Sequence, residues 1–141
     1  MSGTVYDAIQ AALDAKLATF ATANGLVVAW QNTHFEPTPG SPWLEPFILP
    51  GEPSQAALGE TGENRCVGIY QVKVKYPAGE GSGDARVMAD TLITAFKRGT
   101  KLTYGVYNIE IKKAYQSPAI QKADWYYIPV TIQWSCFAAN I

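Results

Sequence analysis

The apolar positions of the chain recur at two periods. Between Cys66 and Tyr76 they alternate. Cys66, Tyr70, Val72, Val74 and Tyr76 fall on one side, and Gln71, Lys73 and Lys75 on the other. Period two with β-branched and aromatic residues predicts a half-buried strand. Pro77 has no N–H for a ladder and ends it. Gly79, Gly81 and Gly83 then predict a flexible turn, because glycine tolerates positive φ. Beyond the turn the period lengthens. Ala85, Met88, Ala89, Leu92 and Phe96 make one helical stripe. The helix is expected to start near Asp84, capped by Ser82 or Asp84. Lys97 and Arg98 are expected in its last turn, with Gly99 in a left-handed conformation just beyond.

The same two periods organise the rest. Residues 4–22 predict an amphipathic helix with Val5, Ile9, Ala12, Leu13, Leu17 and Phe20 on its apolar side, closed by Asn24-Gly25. Leu26 to Trp30 is a short strand. Residues 33–63 hold six of the nine prolines, which predicts a long excursion with one extended piece around Trp43 to Leu49. Tyr104 to Tyr115 and Trp125 to Phe137 complete the strands, and Pro129 within the last one marks a sheet edge or a bulge. The expected fold is α+β: a mostly antiparallel mixed sheet, two main helices packed on one face, and a long Pro-rich extended loop or hairpin. One domain spanning residues 1–141 is expected.

Charge and composition sharpen this picture at three points. Residues 1–64 carry one base and seven acids, whereas residues 65–141 carry ten bases and five acids. Pairing within one fold accounts for such a division, and so does a head-to-tail contact between copies. Charged residues make up 16% and aromatics 12%. Charge is below the usual ~25%, which suggests surface hidden in an assembly. The opening MSGTVYDAIQ has neither a basic region nor a long apolar run, so no signal peptide is expected, and no membrane span either. Cys66 and Cys136 lie on apolar strand faces. Buried reduced thiols are expected, with a disulfide as the alternative.

Catalytic chemistry finds little to use. His34 is the only histidine, so a His pair for zinc is excluded. There is no GxSxG elbow and no CxxC. Glu60 and Glu63 read as a solvated loop. The glycine turn fails the P-loop pattern, since no Lys-Ser or Lys-Thr follows, and Glu80 and Asp84 would repel a phosphate. No enzyme activity, cofactor, metal or small-molecule substrate is expected. Lys73, Lys75, Lys112 and Lys113 leave a nucleic-acid-associated module open, although the chain as a whole is slightly acidic.

Two segments carry a family resemblance. WQNTHFEPTPGSPWLEPFILPG (Trp30 to Gly51) supplies an Asn-x-x-Phe-x-Pro turn, an aromatic strand and Leu-Pro-Gly. VGIYQVKVKYPAGEGSGDARVMADTLITAFKRGTKL (Val67 to Leu102) supplies a Gly-x-Tyr-Gln strand, the glycine turn, Ala-Asp in the helix and Phe-x-Arg-Gly after it. Together with the opening helix and closing aromatic strand, the chain resembles the tail terminator proteins of long-tailed bacteriophages over nearly its whole length.

That resemblance implies a virion protein, made in the host cytoplasm and built into the tail or neck. It implies a ring of copies, six in that family, that caps the head-proximal end of the tail tube and stops its polymerisation. The implied partners are other copies of the chain, the tail tube protein and the head–tail connector or neck protein. Another neck or tail-completion role is the alternative. Phe35, Trp43, Phe47, Lys73, Lys75, Gly79, Gly81 and Gly83 are the expected subunit or tube contacts. The aromatics are too apolar to leave in water, and the glycine turn would be ordered by assembly.

Overall fold

The computed structural model describes residues 5–31, 35–36, 40–51, 54–55, 63–79, 83–105, 107–122 and 125–139. His34, Glu60, Gly81 and Ser82 lie outside the described residues. Helix α1 spans Val5–Asn24 and α2 spans Gly83–Ala95. The described strands are β1 (Val27–Val28), β2 (Trp43–Pro50), β3 (Ser54–Gln55), β4 (Glu63–Pro77), β5 (Lys101–Tyr104), β6 (Tyr107–Gln116), β7 (Ile120–Lys122) and β8 (Trp125–Ala139). They form one sheet in the order β1-β2-β4-β8-β6-β5, with β3 beside β4 and β7 beside β8. Only β1 and β2 run parallel; the other described pairings are antiparallel. The α+β class and the mostly antiparallel mixed sheet are therefore as expected.

The spine is the β4–β8 pair, in unbroken register from Glu63 opposite Ala139 to Pro77 opposite Trp125. Tyr70, Val72 and Val74 of β4 and Ile128, Val130, Ile132 and Trp134 of β8 face one side and are buried. Ile9, Leu13 and Leu17 of α1 join the same core cluster, as do Ala85, Ala89 and Leu92 of α2. Both helices thus cover the face that strand parity marks as apolar. One polar link crosses this layer: the Tyr70 hydroxyl donates to the Asp14 carboxylate of α1. Burial raises the Asp14 carboxyl above its ordinary value, more than the hydrogen bonds from Tyr70 and Gln10 lower it.

Several local expectations are corrected. Helix α2 ends at Ala95, so Lys97 and Arg98 lie past the helix rather than in its last turn. Gly99 does adopt φ of +91°, but in the turn that enters β5, where its N–H donates to the Ile111 carbonyl at 2.8 Å. Asp84 sits inside the first turn of α2 and is not a cap preceding it. The strand expected from Tyr104 to Tyr115 is β6, starting at Tyr107; Tyr104 instead ends β5, which pairs with β6 across a turn holding Gly105 at φ +61°.

The prolines of β2 do not interrupt its ladder. The strand pairs with β4 at all eight positions, from Trp43 opposite Lys75 to Pro50 opposite Gly68. The reason is parity. The Leu44 carbonyl accepts from Ala29 on the outer side, and the Ile48 N–H donates outward to Gln31 Oε1. Even-numbered residues of β2 therefore turn their backbone groups away from β4. Pro46 and Pro50 belong to that set, so the missing N–H costs no inter-strand bond. The extended piece expected around Trp43 to Leu49 is thus β2, a paired strand despite its prolines.

Pro129 follows the same logic on β8. Between Tyr127 and Val130 the neighbour of β8 changes from β7 to β6. Pro129 lies in that break, where its carbonyl accepts from the Ser117 N–H at 2.8 Å. It occupies a local edge inside an otherwise central strand.

Candidate interaction surface

The face opposite the helices is where the sequence-selected residues meet. Register places them in rows. Trp43, Lys75 and Tyr127 form one row, Glu45, Lys73 and Pro129 the next, and Phe47, Gln71, Thr131 and Tyr115 the third. A fourth row runs Leu49, Ile69, Gln133 and Lys113. Lys112 is displaced by the bulge between Ile111 and Lys113 and instead bonds Glu110 at 3.0 Å, which holds the Glu110 carboxyl below its usual range.

Each central lysine lies between aromatic rings. Lys75 Nζ stands 4.4 Å from the Trp43 ring centroid and 5.0 Å from that of Tyr127, and pairs with Glu45 Oε1 at 3.0 Å. Lys73 Nζ stands 5.0 Å from the Phe47 ring and 5.4 Å from Tyr127. A cation over a ring face is stabilised by about 0.5–1 kcal/mol where exposed. The lysine stems also cover apolar surface while their heads reach solvent. The result is a stiff mixed surface of rings and cations.

Trp43 is the packed centre of this surface. Its ring centroid lies 4.9 Å from that of Phe35 and 5.7 Å, edge-on, from that of Trp125, and the residue is only 6% exposed. Its indole N–H has no hydrogen-bond partner among the described residues. Phe35 and Phe47 remain half-buried, and Leu49 is 52% exposed. A hollow of about 190 Å³ opens beside the outer edge of β2, lined in part by Trp30, Gln31, Phe35, Trp43 and Phe47.

The glycine turn leaves the sheet at the same end. Pro77 pairs with Trp125, two residues from the row of Lys75 and Tyr127. Gly79 has φ of +91°, and both it and Gly83 are exposed, with nothing of the chain within 4 Å of where a Cβ would stand. Trp125 and Tyr127 were not singled out by sequence. Parity assigns them to the Thr131 side of β8, but only the β4–β8 register sets Tyr127 against Lys75 and brings Trp125 to the Trp43 ring. No group of three or more His, Cys, Asp or Glu among the described residues is placed to hold a metal, and no described helix is long and apolar enough to cross a membrane.

Comparison with known proteins places this geometry in context. The family model for the phage tail terminator protein matches residues 8–134. No curated protein matches the chain. One solved structure, whose name carries no functional description, is 27% identical with a TM-score of 0.76, over 95% of this chain and 96% of that one. A chain from the virion of a native gene transfer agent particle is 20% identical with a TM-score of 0.65, over 97% of this chain and all of that one, a likeness of fold.

Proposed function

The chain belongs to the phage tail terminator family, and from that premise we propose that it assembles into a ring, of six copies, that caps the head-proximal end of the tail tube. The ring stops tube polymerisation and presents a surface to the head–tail connector. The whole chain acts as one structural domain in the tail of the virion, after assembly in the host cytoplasm. The observation that carries this reading is the family match across residues 8–134. The likeness of fold to a chain of a gene transfer agent virion supports it.

The surface opposite the helices suits the contact such a ring needs. Its residues are held by a paired sheet, so little conformational freedom is lost on docking. Phe47 and Leu49 offer apolar area, and Lys73 offers a cation beside it. Together with the glycine turn around Gly79 and Gly83, they form the proposed contact with a neighbouring copy or with the tube. Trp43 and Lys75, in a neighbouring row of the same face, stiffen that surface through their mutual packing.

Solution mass across a concentration series, with and without added tail tubes, tests the reading. The expected result is a six-copy ring, formed alone or recruited onto tube ends. A chain that stays monomeric and ignores the tubes contradicts it.

A further inference from the structure

Cys66 and Cys136 are the only two cysteines of the chain, and the fold sets them opposite one another. They are register partners on β4 and β8 and face the core, 0% and 1% exposed. Neither is disulfide-bonded. Backbone directions identify the kind of pair they form. The Gly51 N–H donates to the Val67 carbonyl, so odd positions of β4 turn towards β2 and even ones, Cys66 included, towards β8. The Ser117 N–H donates to the Pro129 carbonyl, so even positions of β8, Cys136 included, turn towards β4. Cys66 and Cys136 are thus a hydrogen-bonded antiparallel pair, with Cα atoms about 5.5 Å apart. That lies within the range of about 4.4–6.8 Å that a disulfide spans. The Cβ atoms, about 4.5–5.5 Å apart in such pairs, need only a small approach to reach bonding distance. The Cys136 thiol is pushed up to about 11, chiefly by burial and then by Cys66, in keeping with neighbouring sulfurs.

We propose that Cys66 and Cys136 form a modification site: a thiol pair that a small-molecule disulfide converts into one cross-strand disulfide, fastening β4 to β8. One thiolate attacks the external disulfide and releases its first thiol, leaving a mixed disulfide on the protein. The second thiolate then attacks the protein sulfur of that mixed disulfide. A Cys66–Cys136 bond forms and the second external thiol leaves. The protein loses two protons and two electrons, and the external disulfide gains both. Access comes from the end of the ladder. Three pairs of the β4–β8 ladder, from Glu63–Ala139 to Arg65–Phe137, lie between the cysteines and the strand ends, with β3 beside Asn64 and Arg65 and β6 beside Cys136, so local opening of that end of the sheet exposes them. Because the Cβ atoms must be drawn together, the bond is strained and readily reduced by a dithiol. The inference is independent of ring assembly.

The purified full chain is treated with oxidised glutathione, both as folded protein and during refolding from urea. It is then quenched in acid, denatured, alkylated and weighed. The expected product is monomeric, two hydrogens lighter and unalkylated, yields a linked Cys66–Cys136 peptide, melts at higher temperature, and reverts on treatment with dithiothreitol. Cys136→Ala should stop at a glutathione adduct with no rise in melting temperature. Retention of both thiols after oxidative refolding overturns the proposal, as does uptake of glutathione without internal linkage, or linkage only between chains.

Discussion

Gly68 of β4 lies beneath the indole of Trp134, its register partner on β8. A Cβ added to Gly68 would stand 2.5 Å from Trp134 Cζ2 and 2.7 Å from the Leu49 carbonyl oxygen. Neither a fully buried ring nor a strand backbone can yield that distance cheaply. Gly68→Ala is therefore expected to lower stability by about 1–3 kcal/mol, the usual cost of overpacking. Gly83→Ala, in open space at the start of α2, is expected to change it by no more than about 1 kcal/mol. Urea unfolding of the two variants checks both.

The second prediction concerns Trp43. With Phe35, Trp125 and Lys75 packed around it, Trp43→Ala should cost the isolated chain about 3–5 kcal/mol, whatever its state of assembly. A lowered thermal midpoint in the monomer is the expected readout. An unchanged midpoint would mean that the ring is not part of the chain's own core.

Much of this was legible in the sequence, and the rest was not for definable reasons. Alternation places Lys73 and Lys75 opposite Tyr70 and Val72, and helical spacing places Ala85, Ala89 and Leu92 inward, as the structure has them. Strands β5 and β7 are too short to show a period, and their existence depends on pairing with β6 and β8. Pro46 reads as a strand breaker until the direction of its neighbours' backbone groups is known. The surface around Trp43 escapes for a related reason. Parity assigns a face to each strand, but the meeting of Tyr127 with Lys75, and of Trp125 with Trp43, is a matter of register between segments distant in sequence.

Burial of Asp14 and Tyr70 gives stability a pH dependence with a definite sign. Both groups have raised values in the fold, so folding favours the protonated form of each relative to the unfolded chain. Stability contributed by Asp14 is full below its ordinary 3.8 and is lost as pH rises through its raised value. That of Tyr70, raised by burial and by the Asp14 charge, is full below its ordinary 10.0 and is lost as pH climbs above it. Urea midpoints over an acid-to-alkaline series should show both losses. Asp14→Asn should remove the acid-side change, and Tyr70→Phe the alkaline one due to this residue.

Assembly variants follow from the surface. Phe47→Ala and Lys73→Glu alter half-buried groups beside the core rather than within it. Each is expected to cost the monomer about 1 kcal/mol, mainly through the ring–cation contacts. Each should also weaken ring formation or tube binding by tenfold or more, as a substitution at an interface centre does. Sedimentation with tail tubes, set against the thermal midpoint of the same variant, separates the two effects. A variant that binds tubes normally removes its residue from the contact.

The capping role itself is tested by tube growth. Tail tubes of partial length are incubated with the protein and then offered fresh tube subunits, and their lengths are measured by electron microscopy. The account predicts a ring at one end of each tube and no further growth from that end. Tubes that lengthen to the same extent with and without the protein would contradict it.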